Sequence, residues 1–124
     1  MPHPGSAIPG GTDGEFYPAS LANAVRYAHQ ASGVPILVTE HGAGTDDDAF
    51  RARLIPAALA ELQKVIAQEV PVKGYIHWSL LDNFEWLYGF KVKFGLHSVD
   101  RTTFKRTPKP SAAVYGAIAQ RNAV

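Results

Sequence analysis

Apolar positions alternate along the chain between helical and strand-like spacing. From Pro18 to Ser32, Leu21, Ala24, Val25 and Ala28 recur at i, i+3, i+4 and i+7. That is one face of an amphipathic helix, with Pro18 in its first turn and Gly33 as its stop. Val34 to Thr39 is a short continuous run rich in β-branched residues, the pattern of a strand buried on both faces, and it ends at Glu40-His41-Gly42-Ala43-Gly44. Asp46, Asp47 and Asp48 then supply N-cap and first-turn carboxylates for a second helix. Its stripe (Leu54, Ile55, Ala58, Leu59, Leu62, Val65, Ile66) runs to about Gln68, and Pro56 inside it is expected to kink the helix or reset its start.

Val72 to Trp78 reads as a second strand, in which Gly74 costs some packing. Residues 79–93 form a long aromatic-rich loop, and Phe94 to Val99 a short extended piece. Ser111 to Gln120 is a last helix after Pro108 and Pro110. Alternation of strands with helices predicts an α/β fold with parallel strands and right-handed crossovers. The pattern by itself leaves an open sheet and part of a barrel equally admissible. Residues 1–16 hold three of the nine prolines and four of the eleven glycines, so they read as a flexible N-terminal segment ahead of a packed unit over residues 17–124.

A length of 124 residues suits one domain with a real core, and 46% hydrophobic content argues against wholesale disorder. The absence of cysteine removes disulfides, thiolate metal sites and cysteine nucleophiles. A net charge of +1 gives no bulk attraction to nucleic acid. No apolar run reaches the roughly 20 residues of a membrane-spanning helix. Met1-Pro2-His3-Pro4-Gly5 lacks a basic patch followed by an apolar stretch, so the expected compartment is cytoplasmic. The small net charge conceals a split. Residues 1–70 carry 4 basic and 8 acidic side chains, and residues 71–124 carry 8 basic and 3 acidic. Exposed charge of this kind either salts a surface or marks a partner.

In parallel α/β folds, reactive residues gather at the carboxyl ends of strands. The first strand end presents Glu40, near buried surface, either as a reactive carboxylate or as a loop or helix-capping group. The second presents Trp78-Ser79-Leu80-Leu81-Asp82-Asn83-Phe84-Glu85-Trp86. Indole faces stack on the C–H faces of sugar rings while carboxylates and amides grip hydroxyls, which suits a polar small ligand. The plainer alternative is an aromatic loop capping a core. Ser79 with His77 and Asp82 makes a poor serine triad, because no nucleophile-elbow glycines surround Ser79 and strand alternation sends neighbours to different sides. The five histidines show no metal-ligand spacing, and neither Gly10-Gly11 nor Gly42-Ala43-Gly44 fits a phosphate-binding loop. No metal or cofactor is expected.

Thr39-Glu40-His41-Gly42 resembles the T-E-N-G motif of family 1 glycoside hydrolases, the β-glucosidase family. Gly74-Tyr75-Ile76-His77-Trp78-Ser79-Leu80-Leu81-Asp82-Asn83-Phe84-Glu85-Trp86 resembles that family's G-Y-x-x-W-S-L-x-D-N-F-E-W signature. Gly89-Phe90, Phe94-Gly95-Leu96, Val99-Asp100 and Arg106-Thr107-Pro108-Lys109-Pro110-Ser111 continue the pattern in order, so the match spans about residues 15–124. The resemblance implies a (β/α)8 TIM barrel and retaining hydrolysis of terminal β-glycosides. It matches Glu40 to the nucleophile and Trp78 to the residue stacked under the glycone ring. Glu85 matches the carboxylate that holds the sugar's 4- and 6-hydroxyls, Trp86 the neighbouring indole, and Phe94 an aromatic wall of the same pocket. Branches acting on phosphorylated sugars look to have Ser at the Glu85 position, since a carboxylate repels phosphate, so Glu85 implies an unphosphorylated glycone. His41 stands where the family has Asn, and Lys93 where it often has Arg.

Retaining glycosidases use two carboxyl groups roughly 5–5.5 Å apart. The family's acid/base lies in a T-x-N-E-P motif on an earlier strand, and no N-E-P triplet occurs here. The resemblance therefore implies the C-terminal part of the barrel, about strands 7–8 and their helices. Its expected partners are a β-glycoside substrate and the missing N-terminal part of the barrel, not nucleic acid or a membrane. The alternative from another class is a catalytically incompetent sugar-binding or partner-docking fragment.

Overall fold

The computed structural model describes Ala7 and residues 14–124. Most of the expected flexible segment 1–16 lies outside these residues. Within it, Ala7 and Glu15 form an isolated antiparallel bridge, and the Phe16 ring meets Phe50 edge-on at 5.5 Å. The elements are α1 (Ala19–Ser32), β1 (Ile36–His41), α2 (Asp48–Ile66), β2 (Val72–His77), a single 3₁₀ turn (Trp86–Tyr88), β3 (His97–Val99), β4 (Arg106–Pro108) and α3 (Pro110–Arg121). The helix-strand alternation of the sequence is therefore present. Its local signals act as expected. Gly33 ends α1 in the left-handed conformation at φ 69°, with its N–H donating to His29 O at 2.8 Å. Asp47 caps α2 by accepting from Ala49 N, and Pro110 starts α3 where its missing N–H costs nothing.

β1 and β2 pair in parallel, as expected, with Val38 opposite Tyr75 and His41 opposite His77. The three helices pack on one face of this pair. Leu21 and Val25 of α1, Ile55, Leu59 and Leu62 of α2, Val38 of β1 and Ile118 of α3 make one core. A smaller cluster of Ala43, Phe50 and Leu54 sits beside it.

Three expectations are corrected. β1 is not buried on both faces: Val38 is buried, but Leu37 is 53% exposed, as is Ile76 on β2. The β1–β2 sheet has only these two strands among the described residues; the helices cover one of its faces, and Leu37 and Ile76 leave the other open. α2 is a single helix from Asp48 to Ile66, so Pro56 does not reset its start. A proline at that place removes one N–H and crowds the carbonyl of Ala52, but buried Ile55, Ala58 and Leu59 hold the helix to the core on either side. Finally, the extended piece near residue 97 gains a partner the sequence did not announce. β3 and β4 form an antiparallel hairpin, closed by Asp100 Oδ1 accepting from the backbone amides of Thr102 and Thr103 and from the Thr103 hydroxyl. No helix among the described residues is long and apolar enough to cross a membrane.

Candidate active site

Parallel pairing brings the carboxyl ends of β1 and β2 together. Trp78 N–H donates to His41 O at 2.9 Å, so Glu40 and Trp78 leave adjacent strands at the same edge. The approach is close. A Cβ on Gly42 would lie 1.8 Å from the Trp78 carbonyl oxygen, which is why glycine stands there. Glu40 is exposed at this edge.

Beneath it lies a polar cluster that the sequence did not single out. The Tyr75 hydroxyl sits 2.9 Å from His41 Nδ1 and 3.2 Å from His77 Nδ1, and it also donates to His41 O at 3.4 Å. The Tyr75 ring lies 6.0 Å from that of Tyr115 on α3. Burial pushes the His41 pKa down. Burial first, then repulsion from His41 once it is protonated and from the Arg51 guanidinium, pushes His77 down to about 4. Burial and the neighbouring Tyr115 push Tyr75 up. Both imidazoles are therefore neutral at pH 7, and His77 Nε2 is buried without a partner.

The loop after β2 carries the remaining candidates. Glu85 precedes the 3₁₀ turn; its N–H donates to Gly89 O at 2.7 Å, and its carbonyl accepts from Tyr88 N at 2.9 Å. Its Oε1 is buried with no hydrogen-bond partner, and an open cavity of about 330 Å³ is lined by Glu85, Trp86, Leu87, Tyr88 and Phe94. An acceptor oxygen left unpaired beside a cavity walled by aromatic rings suits a ligand rich in hydroxyl groups. Trp86 is 85% exposed and held at φ 47°. Three expected residues, Glu85, Trp86 and Phe94, thus share one cavity. Trp78 and Glu40 stand at the strand edge and do not line it. Phe94 links the two regions: its carbonyl accepts from Ser79 N at 3.2 Å, and its ring lies so close to Gly44 that a Cβ there would meet Phe94 Cζ at 2.9 Å.

Asp82, which the sequence brackets with the sugar-type aromatics, is committed elsewhere. Its Oδ1 accepts from Lys109 Nζ at 2.8 Å and from Gly95 N at 2.9 Å, and its carbonyl accepts from Arg101. Arg101 also stacks its guanidinium 4.1 Å over the Phe90 ring. These contacts tie the aromatic loop to the hairpin and to the segment entering α3. Ser79 Oγ donates to Leu81 O at 2.8 Å, so its hydroxyl is likewise occupied. A separate apolar cleft of about 160 Å³ lies between α2, the start of β2 and the end of α3, away from all the candidate residues.

The model of glycosyl hydrolase family 1 matches residues 8–124. A β-galactosidase of Pyrococcus woesei is 37% identical over 111 residues, covering 89% of this chain and 22% of the relative. The thermostable β-glucosidase B of Thermobispora bispora is 38% identical over 106 residues, covering 79% of this chain and 22% of the relative. Among solved structures, the apo β-glucosidase 1317 superposes with a TM-score of 0.91 at 44% identity, covering all of this chain and 31% of that one. The family 1 β-glucosidase from Thermotoga maritima in complex with isofagomine lactam gives 0.85 at 32% identity, covering 89% and 27%. The chain thus spans about a fifth of the length of the curated relatives it matches. Family 1 glycosidases are TIM barrels, and the parallel β1–β2 pair with its helices on one face agrees with a piece of such a barrel. With nearly all of its length matched by the family's model, this chain belongs to glycosyl hydrolase family 1.

Proposed function

We propose that the chain supplies the nucleophile and the glycone-binding loop of a retaining β-glycosidase, with β1 and β2 as strands seven and eight of a (β/α)8 barrel. The observation that carries this reading is the cavity holding the unpaired Glu85 oxygen and the rings of Trp86 and Phe94, tied through Phe94 to the strand edge of Glu40 and Trp78. The half-exposed Leu37 and Ile76 on the uncovered sheet face support a role for the rest of a barrel as partner.

In this reading Glu40 attacks the anomeric carbon of a bound β-glycoside. The bond to the aglycone oxygen breaks, and that oxygen takes a proton from a carboxylic acid belonging to residues outside this chain. The Glu40 ester so formed is then hydrolysed by water, activated by the same carboxyl group. Trp78 stacks under the glycone and Glu85 accepts hydrogen bonds from its hydroxyls. The Glu85 carboxylate favours an unphosphorylated sugar, since a phosphate there would meet like charge.

A dinitrophenyl fluoro-glucoside tests the nucleophile on the chain itself, because dinitrophenolate leaves without a proton. Peptide mapping is expected to find the sugar on Glu40 and none in Glu40→Gln; labelling elsewhere overturns the assignment. An ordinary aryl β-glucoside, whose leaving group needs the acid, is expected to show no turnover by the chain alone. Retention of the sugar without any labelling of Glu40 would favour a catalytically incompetent sugar-binding fragment instead.

A further inference from the structure

We infer that Arg51 is a positioning residue of the sugar pocket: its guanidinium holds the backbone that follows Glu40 against the backbone that precedes Phe94. This rests on the reading above for the roles of Glu40 and Phe94. Arg51 is 1% exposed, in the second turn of α2. Its Nη2 donates to Thr45 O at 2.9 Å, to Lys93 O at 2.6 Å and, more weakly, to Ala43 O at 3.4 Å. Lys93 O also accepts from Thr45 N at 2.9 Å. One side chain therefore gathers three carbonyls from two loops, and those loops bear Glu40 and Phe94 on their flanks.

The clamp is anchored from behind. Arg51 Nη1 donates to Asp48 Oδ1 at 2.6 Å, and the Asp48 carboxylate accepts from Ser111 N at 2.9 Å and Ser111 Oγ at 2.7 Å. The first turns of α2 and α3 thus hold the guanidinium in place. Burial opposes charge on Asp48, but the bonds from Ser111 and Arg51 outweigh it and keep its carboxyl below the usual range. In front, Gly44 lets the held loop lie directly on the Phe94 ring. A planar fork suits this task and an ammonium does not, because Nη2 serves the loop carbonyls while Nη1 is held by Asp48, and a single nitrogen cannot fill both places. An apolar side chain of equal length would take this donor away from all three carbonyls and leave the two loops joined there by Thr45 N–H to Lys93 O.

The test uses fluorine resonances in the 124-residue chain. Fluorophenylalanine is placed at position 94, and fluorotyrosine at position 115, which packs against the core. In Arg51→Lys and Arg51→Gln, the resonance at 94 is expected to move towards its solvent-exposed position while that at 115 stays. Unmoved signals at both positions refute the clamp. Equal movement at both also refutes it, since Arg51 would then only stabilise the fold. If Arg51→Gln loses its helical circular dichroism, the Lys variant, which keeps the charge beside Asp48, decides alone. The second arm is the labelling of Glu40 by the dinitrophenyl fluoro-glucoside. The concentration for half-maximal rate is expected to rise about tenfold in Arg51→Lys with the limiting rate unchanged. An unaltered half-maximal concentration counts against the inference. Absence of Glu40 labelling in the unsubstituted chain refutes the proposed function instead, and the fluorine signals still decide the clamp.

Discussion

Acidification should destabilise this fold through His77, between neutrality and about pH 4. His77 is 7% exposed, its Nδ1 faces the Tyr75 hydroxyl, and its pKa is pushed from 6.5 down to about 4 by burial and by repulsion from His41 once it is protonated and from Arg51. In the unfolded chain the imidazole regains its ordinary value, so below pH 6.5 the unfolded state binds the extra proton and the folded state does not. Unfolding free energy must therefore be full above pH 6.5 and fall as pH drops, until the folded-state group itself titrates near 4. A shift of that size corresponds to about 3 kcal/mol across the window, at ~1.4 kcal/mol per pH unit. Against the roughly 5–15 kcal/mol by which domains are stable, this is a large fraction. His41, also held low by burial, adds a loss of the same sign. Asp48 acts only in more acidic solution, because its carboxyl lies below the usual carboxylate range and loses its contribution as pH falls through that lower value. The assay is urea unfolding followed by circular dichroism at several pH values between 7.5 and 4.5. His77→Asn, whose amide can still reach Tyr75, should flatten much of the slope. A flat profile in the unsubstituted chain, or an unchanged slope in His77→Asn, would refute the reasoning.

Two further substitutions probe how the loops are held. Asp82→Ala leaves the largely buried Lys109 ammonium and the Gly95 amide unpaired, and should cost about 3–5 kcal/mol in urea unfolding, with part of the loss recovered when Lys109→Met is added; additive losses would show the pair to be uncoupled. Gly42→Ala drives a methyl into the Trp78 carbonyl and should cost about 1–3 kcal/mol, accompanied by a change in Trp78 fluorescence; an unchanged spectrum and melting temperature would mean the two strand ends do not touch as described.

Local rules carried much of the fold. The Gly33 stop, the Asp47 cap and the helical stripe of α2 depend on neighbours a few residues away, and the sequence displays them directly. What it misjudged depends on distant partners. The apolar run of β1 implies burial of both faces, yet burial belongs to whatever packs on a strand, and Leu37 stays half-exposed among the described residues. β4 is three residues with a proline, too short and too polar to announce itself without β3. Asp82 sits among aromatic residues in sequence, but Lys109, which takes its charge, is 27 residues away. One missed signal was available. Arg51 falls in register with Leu54, Ile55 and Ala58, so a charged group lies on the apolar stripe, with Asp48 one turn before it.

By itself, the sequence determined the order of elements, the motifs of the family and the chemical kinds at the two strand ends: a carboxylate after β1, and indoles with a carboxylate after β2. Hydrophobic periodicity and turn residues are written locally, so they survive without coordinates. Only the tertiary structure decided which polar groups are free. It shows the Glu85 oxygen unpaired beside a cavity, Asp82 consumed by Lys109, His77 neutral under Tyr75, and Arg51 closing two loops on each other. The reason is that a polar group's availability depends on partners far along the chain, and folding is what brings those partners within hydrogen-bonding distance.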